Sequence, residues 1–375
     1  MLITQTRTIV SRALAANLML LIDRSASMAT NTSTDPPCPA TIGGCGPGNP
    51  CPAGCPTRLS DLQSALGNFI DQSKSSIRFG VTVFPKDDLC APADQSAELV
   101  PLPPASLSDD DASLQQQASL AKAAIDSITL GGSTPTADSL RFLAGLPELI
   151  DPMRQNFVLL VTDGAPDCNA NNPNTCDNPV ACRCVENACS TANGFCALGC
   201  LDDENATAAV TELRQRDVKT IVAALGPDVE TPYGNIALNK LAQASGFAVA
   251  CPGGTDAECG ADSTCNPATR LCSRAYLHAD DASELFDSLL PTASTGDPID
   301  VCDMVLDANP RNLDGLSVFV NGALEAPCES SLACNSWVFD ASSGVASVRF
   351  FGSTCHRLVN ATTFTPVTIR VEIVQ

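Results

Sequence analysis

Residues 18–22, LMLLI, form an unbroken apolar run that stops at Asp23, Arg24, Ser25, Ala26 and Ser27. A short, wholly apolar run of this kind fits a strand buried on both faces, as in parallel sheets. The polar residues then fall on the loop that leaves the strand. Asp23, Ser25 and Ser27 alternate, so one carboxylate and two hydroxyls can surround a single point. Hydroxyls are poor metal ligands singly, and the set suits a hard cation such as Mg²⁺, which takes oxygen donors and keeps open or water-filled positions. A polar turn that caps the next helix is the other reading, and the pentapeptide alone does not separate the two.

Two further segments favour the cation. GGSTPTADSL (residues 131–140) carries Thr134 in a Gly-rich turn that opens a helix. NFVLLVTDG (residues 156–164) is a second buried strand with Asp163 at its carboxyl end. With these motifs in this order the chain resembles the von Willebrand factor A-type (vWA) domain. The metal ion-dependent adhesion site (MIDAS) of that family is built from D-x-S-x-S, a Thr in a second loop and an Asp after the fourth strand. The resemblance places Asp23, Ser25, Ser27, Thr134 and Asp163 around Mg²⁺, with Mn²⁺ or Ca²⁺ as alternatives. It also implies an α/β, doubly wound, mostly parallel Rossmann-like sheet with one antiparallel edge strand. The function it implies is adhesion: the ion completes its coordination with an oxygen, usually a carboxylate, from a protein partner.

A chain of 375 residues, 44% hydrophobic, has room for two or three domains with real cores. The formal net charge of −21 argues against nucleic acid or an anionic membrane as partner. Twenty cysteines suit an oxidising compartment, which implies a secreted, periplasmic or cell-surface protein. Zinc is the rival use. No paired C-x-x-C occurs, and only His278 and His356 offer imidazoles, so disulfides are expected. Residues 1–22 superficially read as a signal peptide, but cleavage there would remove the first strand, so the expectation is a leader upstream of Met1 or a sequence that begins inside the mature protein. No stretch is long enough to span a bilayer.

Along the chain, residues 1–16 read as an N-terminal extension and 17–294 as the vWA domain. Cys-rich insertions fall at about 31–56, 166–200 and 251–272. RLSDLQSALGNFIDQSK has a helical apolar period with Ser60 as candidate N-cap. Residues 77–84 and 218–226 read as strands, AELVPL as a short edge strand, and 247–250 as a last short strand. Helices are expected at 112–129, 201–216, 235–244 and 282–290. Three of these follow acidic clusters that complement a helix N-terminus. From residue 297 to 375 short β-type runs follow without helices between them, with Asn321-Gly322 as a hairpin turn. This is the signature of a small all-β domain, with Trp337 read as core.

The cysteines group as five from 38 to 90, seven from 168 to 200, four from 251 to 272 and four from 302 to 355. If all are oxidised within one chain, the two odd groups cannot both close internally. Free thiols or an intermolecular bridge are the alternatives. The sheet order implied by the resemblance makes the strands ending at Asp23 and Asp163 neighbours, so a bond between these two groups is expected at the rim of the site. The third group reads as a self-contained knot, and all three insertions are expected to emerge on the metal face. An enzyme is the rival of a different class, since a metal with an open site activates water. Neither His lies near the metal motifs in sequence and G-x-S-x-G is absent, so no catalysis is expected. A structural envelope protein with a purely structural metal is the remaining alternative.

Overall fold

The computed structural model describes residues 2–9, 15–151, 154–185, 189, 196–226, 232–251, 253–260, 263–279, 303–306, 315–328, 334–340, 347–359 and 367–374. The chain divides into two compact units: Ala15–Ala293, and Met1–Leu14 together with Ser294–Gln375. The first strand, β1 (Leu2–Ile9), belongs to the second of these.

In the larger unit β2 (Ala16–Asp23) is joined through helix α1 (Arg58–Ser73) to β3 (Ile77–Phe84), and β4 (Glu98–Val100) follows. Next come α2 (Asp111–Asp126), α3 (Thr136–Ala144), β5 (Asn156–Thr162), the short α4 (Pro179–Cys182) and α5 (Asp203–Gln215). The strand β6 (Val218–Leu225) and α6 (Pro232–Ser245) complete the regular alternation. A two-strand ribbon, β7 (Cys265–Asn266) with β8 (Leu271–Cys272), precedes the edge strand β9 (Leu277–Ala279).

The six-stranded sheet has the order β4-β3-β2-β5-β6-β9, parallel except for β4, which runs antiparallel to β3. Every residue of β3 and β5 is buried, as in strands covered on both faces. From β2 the chain moves one way to β3, whereas from β5 it moves the other way to β6. Right-handed crossovers in opposite directions put their helices on opposite faces. Accordingly α1 packs with α2, and α5 packs with both α3 and α6. The reversal of order lies between β2 and β5, so their carboxyl ends open a crevice at the switch point, where ligands bind in such sheets.

Local chemistry sets the ends of α1. Thr57, not Ser60, is its N-cap: the Thr57 side chain accepts from Ser60 N, and Ser60 Oγ returns a bond to the Thr57 backbone. Ser60 is thus the reciprocal third residue of a capping box. Residues 247–250 do not form the expected strand. Gly246 ends α6 at φ +74°, and Val249 then exchanges backbone hydrogen bonds with Ala275 and Cys272 of the Cys-rich segment instead of joining the sheet. The sixth strand is β9. The acidic residues at 280–281 and the helix expected at 282–290 lie outside the described residues.

In the smaller unit β10 (Asp303–Val305), β11 (Leu316–Val320), β12 (Ala323–Glu325), β13 (Trp337–Asp340), β14 (Ser347–Phe350) and β15 (Val367–Val374) form two antiparallel sheets. Their orders are β1-β15-β11-β12 and β10-β14-β13. The segment read as an N-terminal extension is therefore a strand, paired from Leu2↔Val374 to Ile9↔Val367. Asn321 and Gly322 both take positive φ between β11 and β12, as a two-residue hairpin turn requires. Trp337 is 1% exposed and donates from Nε1 to the Glu325 carbonyl oxygen, as a core tryptophan should. The expectation of a helix-free region fails at Gly352–Val359, which is helical. Thr354 and Leu358, four residues apart, are both buried there, so a helical face rather than a strand face meets the core.

Nine disulfides join described cysteines. The first insertion closes through Cys38–Cys55 and Cys45–Cys51, the second through Cys176–Cys196, Cys182–Cys200 and Cys184–Cys189. The third is a knot of Cys251–Cys265 and Cys259–Cys272, and Cys328–Cys334 lies in the smaller unit. Cys90–Cys168 joins the two odd groups, as expected for cysteines all oxidised within one chain. The third insertion follows α6 and not the carboxyl end of a sheet strand, unlike the first, which follows β2, and the second, which follows β5. Among the described residues no helix is long and apolar enough to cross a membrane.

Candidate metal centre

Asp23 ends β2 and Asp163 directly follows β5, two paired parallel strands, so the sheet itself brings the two carboxylates together. Both are fully buried. Between them lie the hydroxyls of the first loop. Ser25 Oγ is 3.0 Å from Ser27 Oγ, Ser27 Oγ donates to Asp163 Oδ1 at 2.8 Å, and Ser25 Oγ to the same oxygen at 3.4 Å. Asp23 is held from both sides: Oδ1 accepts from Ser25 N at 2.7 Å and Oδ2 from the Thr162 hydroxyl at 2.6 Å. Ser25 is buried and Ser27 half-buried, so the Ser27 side of the cluster faces the opening.

Thr134 arrives on the loop before α3 and is 6% exposed. A β-carbon placed on Gly164 would meet its Oγ1 at 3.7 Å, which puts the hydroxyl beside the residue that follows Asp163. Two backbone-level ties hold that loop. Asp167 Oδ1 accepts from Thr134 N at 2.8 Å, and Asp167 N donates to the Thr134 carbonyl at 3.0 Å. On the other side Ala26 N donates to Gly132 O and Gly131 N to Arg24 O. Gly132 has φ +81°, and a β-carbon there would come within 2.4 Å of the Leu89 carbonyl oxygen. The Gly-Gly pair is thus what lets this loop close against the loop after β3.

Arg24 is 8% exposed and extends this bracing. Its Nε donates to Thr129 O at 2.5 Å, its Nη1 to Pro85 O and Asp87 O at 3.1 and 3.0 Å, and its Nη2 to Asp88 Oδ1 at 2.8 Å. One guanidinium fork therefore ties its own loop to the loop after β3 and to the segment that leads to Thr134.

Two buried carboxylates share the site with one buried cation, Arg58, whose Nη1 donates to Asp163 Oδ2 at 2.7 Å. Burial, and then the charge of Asp163, push the Asp23 carboxyl up to about 7, against the hydrogen bonds from Thr162 and Ser25 that favour the carboxylate. The donor set is all oxygen, with two carboxylates and three neutral hydroxyls, which fits a hard divalent ion better than a thiophilic one. Among the described residues, the clusters of three or more His, Cys, Asp or Glu ligand atoms are Cys45, Cys51, Cys55 and Cys251, Cys259, Cys272. All six are in disulfides, which removes them as thiolate ligands for zinc.

All five residues singled out in the sequence thus lie around one crevice. Arg58, Arg24, Asp167 and Thr162, which brace it, were not singled out. Only Arg58 carried a local signal, a basic residue in the first turn of a helix, where the macrodipole disfavours it.

No family profile matches the chain. No curated protein matches it either. Similar solved structures include the pilus adhesin SpaC from Lactobacillus rhamnosus GG, at 12% identity over 100% of this chain and 41% of that one, with a TM-score of 0.43. A von Willebrand factor type A protein from Catenulispora acidiphila aligns at 12% identity over 100% of this chain and 65% of its own, with a TM-score of 0.40. Proximal thread matrix protein 1 from the mussel byssus, in a form whose MIDAS motif is occupied by zinc, aligns at 17% identity over 63% and 41%, with a TM-score of 0.34. The chain spans less than two thirds of the length of each of these structures.

Proposed function

We propose that this chain is a vWA-type adhesion module in which Asp23, Ser25, Ser27, Thr134 and Asp163 hold a divalent cation, Mg²⁺ first and Mn²⁺ or Ca²⁺ as alternatives. The observation that carries the reading is the approach of Ser25 Oγ, Ser27 Oγ and Asp163 Oδ1 within 3.4 Å of one another or less, at the switch point of a parallel sheet. Three of the five donors are neutral, so the ion keeps more of its charge than in an all-carboxylate cage and takes a further oxygen from outside. The half-buried Ser27 edge is the side from which an acidic side chain of a protein partner would approach. The role is binding rather than catalysis. The disulfides support an oxidising setting, extracellular, periplasmic or at the cell surface.

Titration calorimetry with Mg²⁺ and Mn²⁺ tests the reading. The wild-type protein is expected to show one principal site, and Asp23→Ala to abolish it. Unchanged affinity in that variant removes the assignment.

A further inference from the structure

Arg58 occupies the first position of α1, yet its side chain turns away from solvent: it is 1% exposed. Its Nη1 donates to Asp163 Oδ2 at 2.7 Å, the oxygen opposite the one that Ser25 and Ser27 engage. The guanidinium also lies against Gly226, the residue after β6, where an added β-carbon would meet Arg58 Nε at 2.7 Å. Gly226 sits at φ +79°, so both its conformation and its missing side chain make room for the arginine. A buried arginine in a helix's first turn opposes the macrodipole and carries a desolvation cost. Both are accepted at this position, one hydrogen bond from a proposed ligand.

We propose that Arg58 is a positioning and specificity-setting residue of the metal centre, holding Asp163 by Oδ2 and making the loaded site one charge more positive, so that it selects an anionic ligand over a neutral oxygen donor. The proposal rests on the reading that Asp23, Ser25, Ser27, Thr134 and Asp163 bind a divalent ion. Geometrically, the bond to Oδ2 leaves Oδ1 turned toward the hydroxyls. Electrostatically, a fixed positive charge beside a divalent ion weakens retention of the ion and strengthens the pull on a carboxylate. At separations of several ångströms in a partly hydrated site, each effect is worth about tenfold. The two effects have opposite signs, which separates them from a general loosening of the site.

Mn²⁺ binding by electron paramagnetic resonance, and acetate or acetamide binding to the Mn²⁺-loaded protein by water-proton relaxation, test this. Wild type is expected to prefer acetate. Arg58→Gln, which keeps a hydrogen-bond donor and loses the charge, should bind Mn²⁺ about tenfold more tightly and lose most of the acetate preference. Arg58→Lys should keep both properties of wild type. Weaker binding of Mn²⁺ and acetate together in Arg58→Gln, or no change in either, overturns the proposal while the metal reading stands. If wild type itself binds no Mn²⁺, the metal reading fails and this inference with it. Should Arg58→Gln not fold, Arg58→Lys decides: loss of acetate preference with the charge retained is the overturning result.

Discussion

Cys90 and Cys168 form a disulfide with Cα atoms 5.3 Å apart, tying the loop after β3 to the loop after β5, the two strands that flank β2 in the sheet. The bond therefore links the two sides of the crevice into which Asp23 opens. It spans 78 residues of sequence, so a chain-entropy model assigns it about 4.5 kcal/mol through restriction of the unfolded state. Paired Cys90→Ser and Cys168→Ser substitutions are expected to lower the denaturation free energy by part of that amount. Hydrogen exchange should rise in residues 85–92 and 163–172 while β2 and β5 stay protected. Loss of protection in those strands would show that the bond holds the core and not only the rim.

The proposed metal donors should rank by charge. Asp23→Ala removes a charge and a donor atom, whereas Ser27→Ala removes one neutral hydroxyl, worth about tenfold in affinity. Calorimetric titration of Mg²⁺ into both variants checks the order, and equal losses would contradict it.

Asp167 is 1% exposed and fastens the Thr134 loop through two backbone contacts. Asp167→Ala is expected to cost about 1–3 kcal/mol, the range for leaving a buried donor without its partner. Asp167→Asn, which keeps an accepting oxygen, should cost less. Urea denaturation of the two variants side by side provides the measurement.

Arg24→Lys is expected to destabilise despite conserving charge, because an ammonium cannot reproduce a fork that reaches Thr129, Pro85, Asp87 and Asp88. The expected loss is about 2–3 kcal/mol, comparable to losing hydrogen bonds made by a charged group. A melting temperature equal to wild type would mean these segments are held by other contacts.

Asp109 governs part of the acid response. Burial alone would raise its pKa, but the hydrogen bonds and charge of Arg154, with the bond from Arg78, hold it below the ordinary 3.8. A depressed carboxylate contributes stability that is fully present above the unfolded value and is lost as pH falls through the folded value. The stability difference between wild type and Asp109→Asn should therefore be constant above about pH 5 and shrink below 3.8. A difference that grows on acidification would contradict the sign.

The sequence by itself determined strands β2, β3, β5 and β6 and the positions of the proposed donors at the ends of β2 and β5, because both are local. Residues 18–22 and 157–161 are apolar runs long enough for a strand and too short for a helix, and each is followed by its Asp within two residues. Cysteine parity, a counting argument, called for a bond between different groups if every cysteine is oxidised within one chain, and only the structure singles out Cys90 and Cys168. Tertiary structure decided what lies between distant segments. Arg58 meets Asp163 across 105 residues, and Asp167 meets Thr134 across 33. No periodicity or motif encodes such pairs, because they exist only once the sheet order is set. The strand Leu2–Ile9 pairs with Val367–Val374 for the same reason: a lone strand has no partner in its own sequence neighbourhood. Likewise residues 247–250 have strand-like composition but bond to the disulfide knot, since backbone groups take whichever partner the packed chain brings within reach.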